Sequence, residues 1–477
     1  MSAPVNEKTP LIIGNPISND EEKGEGRERS GSHASLSDHK GTIGMLGSIA
    51  IAVNSLTGPA MLNLPSVFQR SGVIPTILTI IFLCILSTWC SLHMANTISK
   101  VRGNAHFHHE IEYSEAFRYF VGRKAYIFTH ICFFGCITCL NLASIVDTAQ
   151  VIDQVLSRMK GGAVAFEWKQ GGWEKIRWAA HNCSGEKVQN GKCIPFETGV
   201  YNDSQLLTMG YLICALIFLP MSLKDLKENS IFQIAGFIVL IVISFQFALT
   251  FYMEGLDFSN VSWWGDDWGD MFGIILFNFA VVIAIPAWLY ERKPEVCVHT
   301  AVTNSSIIGF VLYLLVGGLG ALTMPNISDN MLASMMSGAY GTATEVFSMI
   351  FCLFIIGLGI PLFSVLTRLN LTGSGLCSEF VANIFAVYLP WGTAWLLYGG
   401  VGTTWLLGWG GIIFTSIIVF IAPLGLSLYV VYTNDTQGSV PVYGSYVPTK
   451  VKQEIFLWIL LAASIGSIIL AIIGEFS

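Results

Sequence analysis

Residues 50–65 read AIAVNSLTGPAMLNLP, an apolar stretch interrupted by polar residues, a glycine and a proline. Proline cannot donate a backbone hydrogen bond and clashes with the preceding helical turn. We therefore predict that a helix breaks near residues 55–58 and that Pro59 begins a second half-helix, where its missing N–H is tolerated. The N–H groups of Ala60 and Met61 are expected to point into the break and to offer a carboxylate site at the positive end of a helix dipole.

A proline-kinked helix with internally hydrogen-bonded polar side chains is the alternative interpretation of this stretch alone. Residues 275–286, which read ILFNFAVVIAIP, form a second candidate for a broken helix. Two interrupted helices at corresponding places in two halves of a chain indicate an inverted-repeat transporter. The predicted substrate-binding residues are Thr57, Gly58, Pro59, Ala60, Met61, Phe277, Asn278 and Ala280.

The composition is that of a polytopic membrane protein. Of the 477 residues, 53% are apolar and 12% are charged, whereas soluble domains carry about 25% charged residues. The mean hydropathy is +0.60. This composition excludes a soluble enzyme and a nucleic-acid binder. It indicates that most of the chain is surrounded by membrane lipid. The sequence contains no metal-ligand cluster, nucleophile elbow or phosphate loop, so we expect no enzymatic activity, no cofactor and no metal.

A spanning helix needs about 20 mostly apolar residues. This criterion predicts an all-α membrane protein with eleven spans, preceded by a polar tail at residues 1–40. The transmembrane domain covers residues 41–474 and includes a long loop at 159–204. The predicted spans 1 to 11 are 41–68, 73–98, 125–158, 205–222, 231–253, 268–290, 303–324, 341–366, 378–398, 408–432 and 455–474.

The distribution of Lys and Arg predicts the orientation. The loops predicted on the same side of the membrane as the N-terminus contain twelve Lys and Arg residues. The short loops on the opposite side and the C-terminal end contain one, Arg70. Because short cytosolic loops are enriched in positive charge, we predict a cytosolic N-terminus.

Glycosylation sequons agree with this orientation. Four begin on the predicted lumenal or extracellular side, at Asn182, Asn202, Asn260 and Asn326, and a fifth, at Asn370, falls on the cytosolic side. We predict glycosylation at the first four, with an unused tripeptide as the alternative at each. Cys183 and Cys193 lie in the loop at 159–204, where an oxidising compartment favours a disulfide.

Ionisable residues inside spans usually face a cavity or a partner. Asp147 in span 3 is the deepest acid, and we predict that it titrates with a coupling proton. Asp153 and Glu345 are expected to be solvated near the lumenal or extracellular end of the bundle. His93 and His130 are expected to be hydrogen-bonded packing residues.

Three segments resemble the amino acid/auxin permease family. They are residues 47–65 with Gln69 to Gly72, the stretch PAWLYERK at 286–293, and Trp409-Gly410-Gly411 through Pro423. The resemblance covers about residues 41–474. It implies a secondary amino-acid transporter with a five-plus-five inverted repeat of the leucine-transporter type, with broken spans 1 and 6 and span 11 as an addition. Members move amino acids with protons or sodium.

The resemblance also bears on the coupling ion. Asn54 falls where sodium-coupled relatives use an asparagine as an ion ligand, and those relatives have a span 8 hydroxyl just before a proline. Here that stretch, residues 356–361, reads IGLGIP and has no hydroxyl. We therefore predict proton coupling through Asp147, with Asn54 supplying an uncharged oxygen beside the span 1 break for a cation or a water molecule. Sodium-coupled uptake at the plasma membrane is the alternative.

The polar tail carries a sorting pattern. Glu7 precedes Leu11 and Ile12 by the spacing of an acidic dileucine motif, which clathrin adaptors read. It predicts a lysosomal, vacuolar or endosomal membrane, with export of amino acids to the cytosol, and a chance match in a disordered tail is the alternative. An amino-acid-sensing receptor with the same fold is a second functional hypothesis, and a channel is a third. The sequence leaves open which amino acid is bound and the oligomeric state.

Overall fold

The structure is a computed structural model of the chain. It describes residues 41–158, 162–169, 172–178, 205–268, 271–325, 327, 331–336, 339–373, 377–398, 406–433 and 438–476. The chain divides into a unit of residues 1–40 and a unit of residues 41–477. The predicted tail and its sorting motif at Glu7, Leu11 and Ile12 lie outside the described residues.

Helices account for most of the described membrane unit, as expected where lipid leaves no water to satisfy backbone groups. Spans 1 to 3 correspond to Met45–Leu56 with Pro59–Asn63 and Leu64–Ser71, to Val73–Ser99, and to Arg123–Arg158. Spans 4 to 6 correspond to Met209–Ser222, to Leu226–Glu254, and to Met271–Asn278 with Ala280–Ala284 and Ile285–Glu291. Span 7 comprises Val298–Tyr313, Leu314–Gly318 and Leu319–Thr323, and span 8 comprises Gly341–Phe351, Cys352–Ile356 and Gly357–Gly373. Span 9 comprises Glu379–Asn383, Ile384–Tyr388 and Leu389–Leu397, span 10 comprises Leu406–Ile421 and Ala422–Thr433, and span 11 is Lys450–Phe476.

The all-α membrane architecture is confirmed. Among the described residues, nine helices are long and apolar enough to cross a membrane, and the bent pair that forms span 1 makes a tenth. Met209–Ser222 lies where span 4 is predicted, but it has only 14 residues. The total of eleven therefore stays a prediction.

Four connections contain regular structure that the sequence analysis did not predict, including a 3-10 turn at Phe258–Asn260 and a short helix at Met331–Met335. In the far-side loop, strands β1 (Ala163–Lys169), β2 (Gly172–Trp178) and β3 (Gln205–Thr208) form an antiparallel sheet in the order β2-β1-β3. Residue 205 was predicted to begin span 4, but residues 205–208 pair with β1 and the helix begins at Met209. In the first loop on the N-terminal side, Tyr113–Phe120 forms a short helix.

Span 6 lies at the centre of the bundle. Its most apolar window is 83% buried, whereas that of span 11 is 28% buried, which places span 11 at the periphery. Span 1 packs against spans 5, 6 and 7, and span 3 packs against spans 4, 8 and 10. The two predicted broken helices thus lie inside the bundle.

Candidate functional site

Spans 1 and 6 are broken in the same way. In each, an α-helix ends, at Leu56 or at Asn278, and a short turn leads into a five-residue 3-10 helix. A second α-helix follows, and its second residue is a proline, Pro65 or Pro286. Proline is tolerated there because the N–H groups of a first turn have no intrahelical acceptor. The two parts of span 1 meet at an angle of 53°, so the predicted break is present.

Tyr313 of span 7 connects the two breaks. Its hydroxyl lies within hydrogen-bonding distance of the carbonyl oxygens of Leu56 and Asn278, the last residues of the two first half-helices. The distance to the Asn278 oxygen is 2.8 Å. A hydroxyl has a single hydrogen to donate, so the two carbonyls share it. The Tyr313 ring is fully buried and stands edge-on to Phe279, 5.3 Å away. The sequence analysis missed this residue, although an isolated polar side chain within an apolar span is a signal of function.

The residues predicted from span 1 do not contribute equally to the site. Gly58 is half-buried, and a Cβ atom added there would meet no atom within 4 Å, so space is open beside the break. The predicted role of the Met61 N–H is wrong, because it donates to the Gly58 carbonyl at 3.1 Å and closes the 3-10 turn. The Thr57 hydroxyl donates a hydrogen bond to the Val53 carbonyl at 3.0 Å. Pro59 and Ala60 lie in the 3-10 helix, where the Ala60 N–H precedes the first intrahelical bond.

The residues predicted from span 6 lie at the second break. Asn278 is 2% exposed, and its Nδ2 donates to the Ile274 carbonyl at 3.1 Å. Its Oδ1 is buried without a hydrogen-bond partner among the described residues. Ala280 begins the 3-10 helix and is buried, and Phe277 is half-buried. An unpaired buried oxygen is costly, so Asn278 has acceptor capacity available to a ligand.

Asn54 connects span 1 to spans 5 and 8. Its Nδ2 donates to the backbone carbonyl of Gln233 at 2.8 Å and to the Gln233 Oε1 at 2.7 Å. The Gln233 Nε2 in turn donates to the Leu358 carbonyl at 3.1 Å. Because a backbone carbonyl only accepts, the Asn54 amide is oriented with its nitrogen toward Gln233. The Asn54 Oδ1 is buried without a hydrogen-bond partner among the described residues.

The span 8 hydroxyl nearest to Pro361, that of Ser364, contacts span 3 and not Asn54. A π-helical turn at Cys352–Ile356 precedes the stretch at 356–361. Ser364, one turn after Pro361, accepts a hydrogen bond from the Asn141 Nδ2 at 3.1 Å. Its side chain therefore belongs to the interface between spans 3 and 8.

The two acids of span 3 differ in their surroundings. Asp147 is half-buried, and its carbonyl accepts a hydrogen bond from the Cys352 thiol at 3.9 Å. Asp153 is fully buried, so the expectation that it is solvated is wrong. It accepts a hydrogen bond from the Gly210 N–H at 2.8 Å and one from the Tyr398 hydroxyl. These bonds tie the far end of span 3 to spans 4 and 9, and they satisfy a carboxylate that burial would otherwise penalise.

On the N-terminal side, the chain before span 1 is held against the end of span 6. The Thr42 N–H donates to the Glu291 carbonyl at 2.7 Å, and the Lys293 N–H donates to the Ile43 carbonyl at 2.9 Å. Within the bundle, the Trp288 Nε1 donates to the Ser48 hydroxyl at 2.8 Å. The space next to this contact has a volume of about 10 Å³, which holds about one water molecule. Span 1 therefore packs closely against span 6 on this side of the breaks.

On the opposite side, the end of span 1 is held against the chain before span 6. The Val73 N–H donates to the Ser262 carbonyl at 3.0 Å, and the Gly265 N–H donates to the Ser71 carbonyl at 3.1 Å. Gly72 has a φ of +88°, and a Cβ there would lie 2.4 Å from the Gly265 nitrogen, so only glycine fits. The pairs on the two sides are equivalent, because each joins one flank of span 1 to the opposite flank of span 6.

The remaining predicted sites are only partly within the described residues. Asn182, Asn202, Asn326, Cys183 and Cys193 lie outside them.

Two sequons are described. Asn260 is half-buried and donates through its Nδ2 to the Leu322 carbonyl at 3.0 Å, and its glycosylation stays a prediction. Asn370 is 1% exposed and accepts a hydrogen bond from the Ser114 hydroxyl at 2.8 Å. Among the described residues, no group of three or more His, Cys, Asp or Glu side chains could hold a metal ion.

Comparison with known proteins places this geometry. Residues 42–169 match the model of the tryptophan/tyrosine permease family. No curated protein sequence matches the chain. The crystal structure of MhsT in complex with L-phenylalanine is similar with a TM-score of 0.59 at 10% identity, over 91% of this chain and 99% of MhsT.

A closed conformation of Mhp1, a nucleobase-cation-symport-1 family transporter with bromovinylhydantoin bound, is similar with a TM-score of 0.50 at 11% identity. That match covers 90% of this chain and 92% of Mhp1. The predicted resemblance to amino-acid permeases of the leucine-transporter type is confirmed. The chain therefore has the leucine-transporter-type fold, and its apolar helices are those of a multi-pass membrane protein.

Proposed function

We propose that this protein is a secondary active transporter that binds an amino acid between the breaks of spans 1 and 6. The observation that carries the proposal is the pair of matching breaks, which Tyr313 holds together beside the open space at Gly58. The match to a tryptophan/tyrosine permease model and the L-phenylalanine in MhsT support an amino-acid substrate.

The breaks offer complementary groups to the two ends of an amino acid. The Ala60 N–H lies in the first turn of a 3-10 helix, and N–H groups at that position bind a carboxylate. The carbonyl oxygens at the ends of the first half-helices and the Asn278 Oδ1 are acceptors suited to an ammonium group. The buried side chains of Met61, Phe279 and Val281 beside these groups are apolar. We infer that the substrate is a neutral amino acid with an apolar or aromatic side chain.

Proton coupling is the proposed driving force. The Gln233 amide joins Asn54 to the Leu358 carbonyl, so the Asn54 nitrogen and this span 8 carbonyl are already engaged by hydrogen bonds within the protein. Ser364 points toward Asn141. These contacts support sodium-independent transport. Asp147 is the half-buried acid of span 3 and is proposed to bind the coupling proton, since ionisable side chains within spans mark ion and proton pathways.

The proposed setting is an acidic organelle with the N-terminus in the cytosol. Twelve Lys and Arg residues in the connections of one side support this orientation, and the motif at Glu7, Leu11 and Ile12 is proposed to bind a clathrin adaptor. Proton entry from the acidic lumen would then drive amino-acid export to the cytosol. Replacing Leu11 and Ile12 by Ala is expected to shift the protein to the plasma membrane, and an unchanged distribution would contradict this localisation.

A competition assay in proteoliposomes tests the proposed substrate class. Uptake of labelled L-phenylalanine is measured at acidic external pH with an excess of each unlabelled amino acid. Tryptophan, tyrosine and leucine are expected to compete, whereas lysine and glutamate are not. If only lysine or glutamate competed, the proposal of an apolar or aromatic substrate side chain would be overturned. Saturable binding without translocation would support a receptor instead of a transporter.

A further inference from the structure

A second cavity lies away from the breaks, at the ends of spans 2, 10 and 11. It has a volume of about 280 Å³, near the lower limit of about 300 Å³ for small-molecule pockets. Its walls are the last turns of span 2, the segment at 438–448 and the first turn of span 11. These ends lie on the N-terminal side of the membrane, the side that is proposed to be cytosolic.

The wall formed by the segment at 438–448 is fixed to the end of span 2. The Ser439 N–H donates to the Ser99 hydroxyl at 3.0 Å, and the Ser439 hydroxyl donates to the Ala105 carbonyl. A Cβ at Gly438 would lie 2.0 Å from the Asn96 Oδ1, so the backbone approaches span 2 as closely as glycine permits. The cavity is therefore a built feature and not a gap beside a loosely packed loop.

The charge of the lining is positive. Lys100 ends span 2 and Lys450 begins span 11, and no aspartate or glutamate is among the described residues that line the cavity. No described group forms a hydrogen bond or an ion pair with the Lys100 ammonium, and the Lys450 Nζ donates to the Tyr432 carbonyl at 3.2 Å with two protons left. Burial lowers the pKa of Lys100. A bound anion would offset that cost, because an opposite charge nearby favours the ammonium form.

We infer that this cavity binds a phosphate group through Lys100 and Lys450. Two ammonium groups match the charge of a phosphate monoester, and Lys is a common phosphate binder. Apolar side chains of the first two turns of span 11, Val451, Ile455 and Trp458, are 63%, 55% and 59% exposed. They form an exposed apolar face of the helix whose first turn lines the cavity, and acyl chains can lie along such a face. The occupant favoured by this neighbouring apolar face is the head group of an anionic phospholipid of the cytosolic leaflet.

The test measures binding to the purified full-length protein in a neutral detergent. The probes are dioctanoyl phosphatidic acid, dioctanoyl phosphatidylcholine and inorganic phosphate, and the readout is the dissociation constant from thermophoresis. Phosphatidic acid is expected to bind, and Lys100→Gln is expected to weaken it about tenfold, whereas Lys100→Arg retains binding. Lys124→Gln, an exposed lysine on the same side, is the charge-matched control and should change affinity less than about twofold.

The outcomes separate the sources of the phosphate. Binding of phosphatidic acid but not of inorganic phosphate supports the lipid, and equal binding of both supports a soluble phosphate compound at the same site. Tight binding of phosphatidylcholine, or unchanged affinity in both Lys100→Gln and Lys450→Gln, would overturn the proposal. Because Lys450 is on the exposed rim, its substitution tests the site even where Lys100→Gln impairs folding.

Discussion

Asn54 donates two hydrogen bonds to a single residue, Gln233, through one amide nitrogen, at 2.8 Å to the backbone carbonyl and at 2.7 Å to the side-chain Oε1. The relationship fixes the end of the first half of span 1 to span 5, immediately before the break. It also commits the amide nitrogen and leaves only the Oδ1 for another partner. Asn54 is therefore a structural connection first, and it is available to an ion through one atom.

The substrate site is tested most simply at Gly58. We expect Gly58→Leu to abolish amino-acid uptake and to leave expression intact, because the side chain would fill the open space beside the break. Uptake into proteoliposomes is the measurement. Gly466→Leu is the matched control, since a Cβ atom at Gly466 also meets no atom within 4 Å but lies in span 11. Normal uptake by Gly58→Leu would refute the assigned site.

Tyr313 is predicted to hold the two breaks in register. Tyr313→Phe keeps the ring but leaves the carbonyls of Leu56 and Asn278 without their shared donor. A buried unpaired group costs about 1–3 kcal/mol, so we expect a lower Tm and an uptake rate reduced about tenfold.

The control for this variant is Tyr252→Phe, because the Tyr252 side chain is 73% exposed. It should behave as the unchanged protein in both assays. A Tyr313→Phe protein with unchanged Tm and unchanged uptake would show that the hydroxyl does not link the breaks.

The short helix at Tyr113–Phe120 predicts a pH dependence of stability. Burial raises the pKa of Glu115 to about 7, against the opposing effect of Arg118, and burial with the nearby Glu110 raises that of Glu112 in the same direction. Unfolded glutamate has a pKa of about 4.3, so the folded state binds more protons between about pH 4.3 and 7. Stability is therefore expected to fall as the pH rises through this window.

Thermal unfolding at pH 5 and pH 8 measures this effect. Glu115→Gln is expected to reduce the difference in Tm, whereas Glu295→Gln, an exposed carboxylate on the same side, should leave it unchanged. An undiminished difference in Glu115→Gln would contradict the assignment.

The orientation is tested by glycosylation in cells. Enzymatic deglycosylation should shift the electrophoretic mobility, and substituting Asn182 and Asn202 by Gln should reduce the shift. Asn370 is buried and hydrogen-bonded to Ser114, so Asn370→Gln should leave the mobility shift on deglycosylation unchanged. A shift that depends on Asn370 alone would invert the proposed orientation.

The sequence predicted the two breaks because proline and glycine act locally on the helix that contains them. It did not reveal that Pro65 and Pro286 each lie six residues after the first residue of their 3-10 helix, Pro59 and Ala280. Comparing proline positions between the two halves could have found that repeat.

Contacts between distant segments were beyond the sequence analysis. Tyr313, Gln233 and Trp288 act on residues far away in the chain, and a single sequence does not pair distant positions. Asp153 was misjudged for the same reason, because its partners Gly210 and Tyr398 come from spans 4 and 9.

Proton-coupled amino-acid transport is the central claim, and uptake of L-phenylalanine into proteoliposomes at pH 5 and pH 7.5 outside, with and without sodium, tests it most directly. The predicted result is uptake that rises at pH 5, is indifferent to sodium, and loses its pH response in Asp147→Asn while that variant still binds the substrate. Uptake that requires sodium and ignores pH would contradict the proton assignment and would make the Asn54 Oδ1 a sodium ligand.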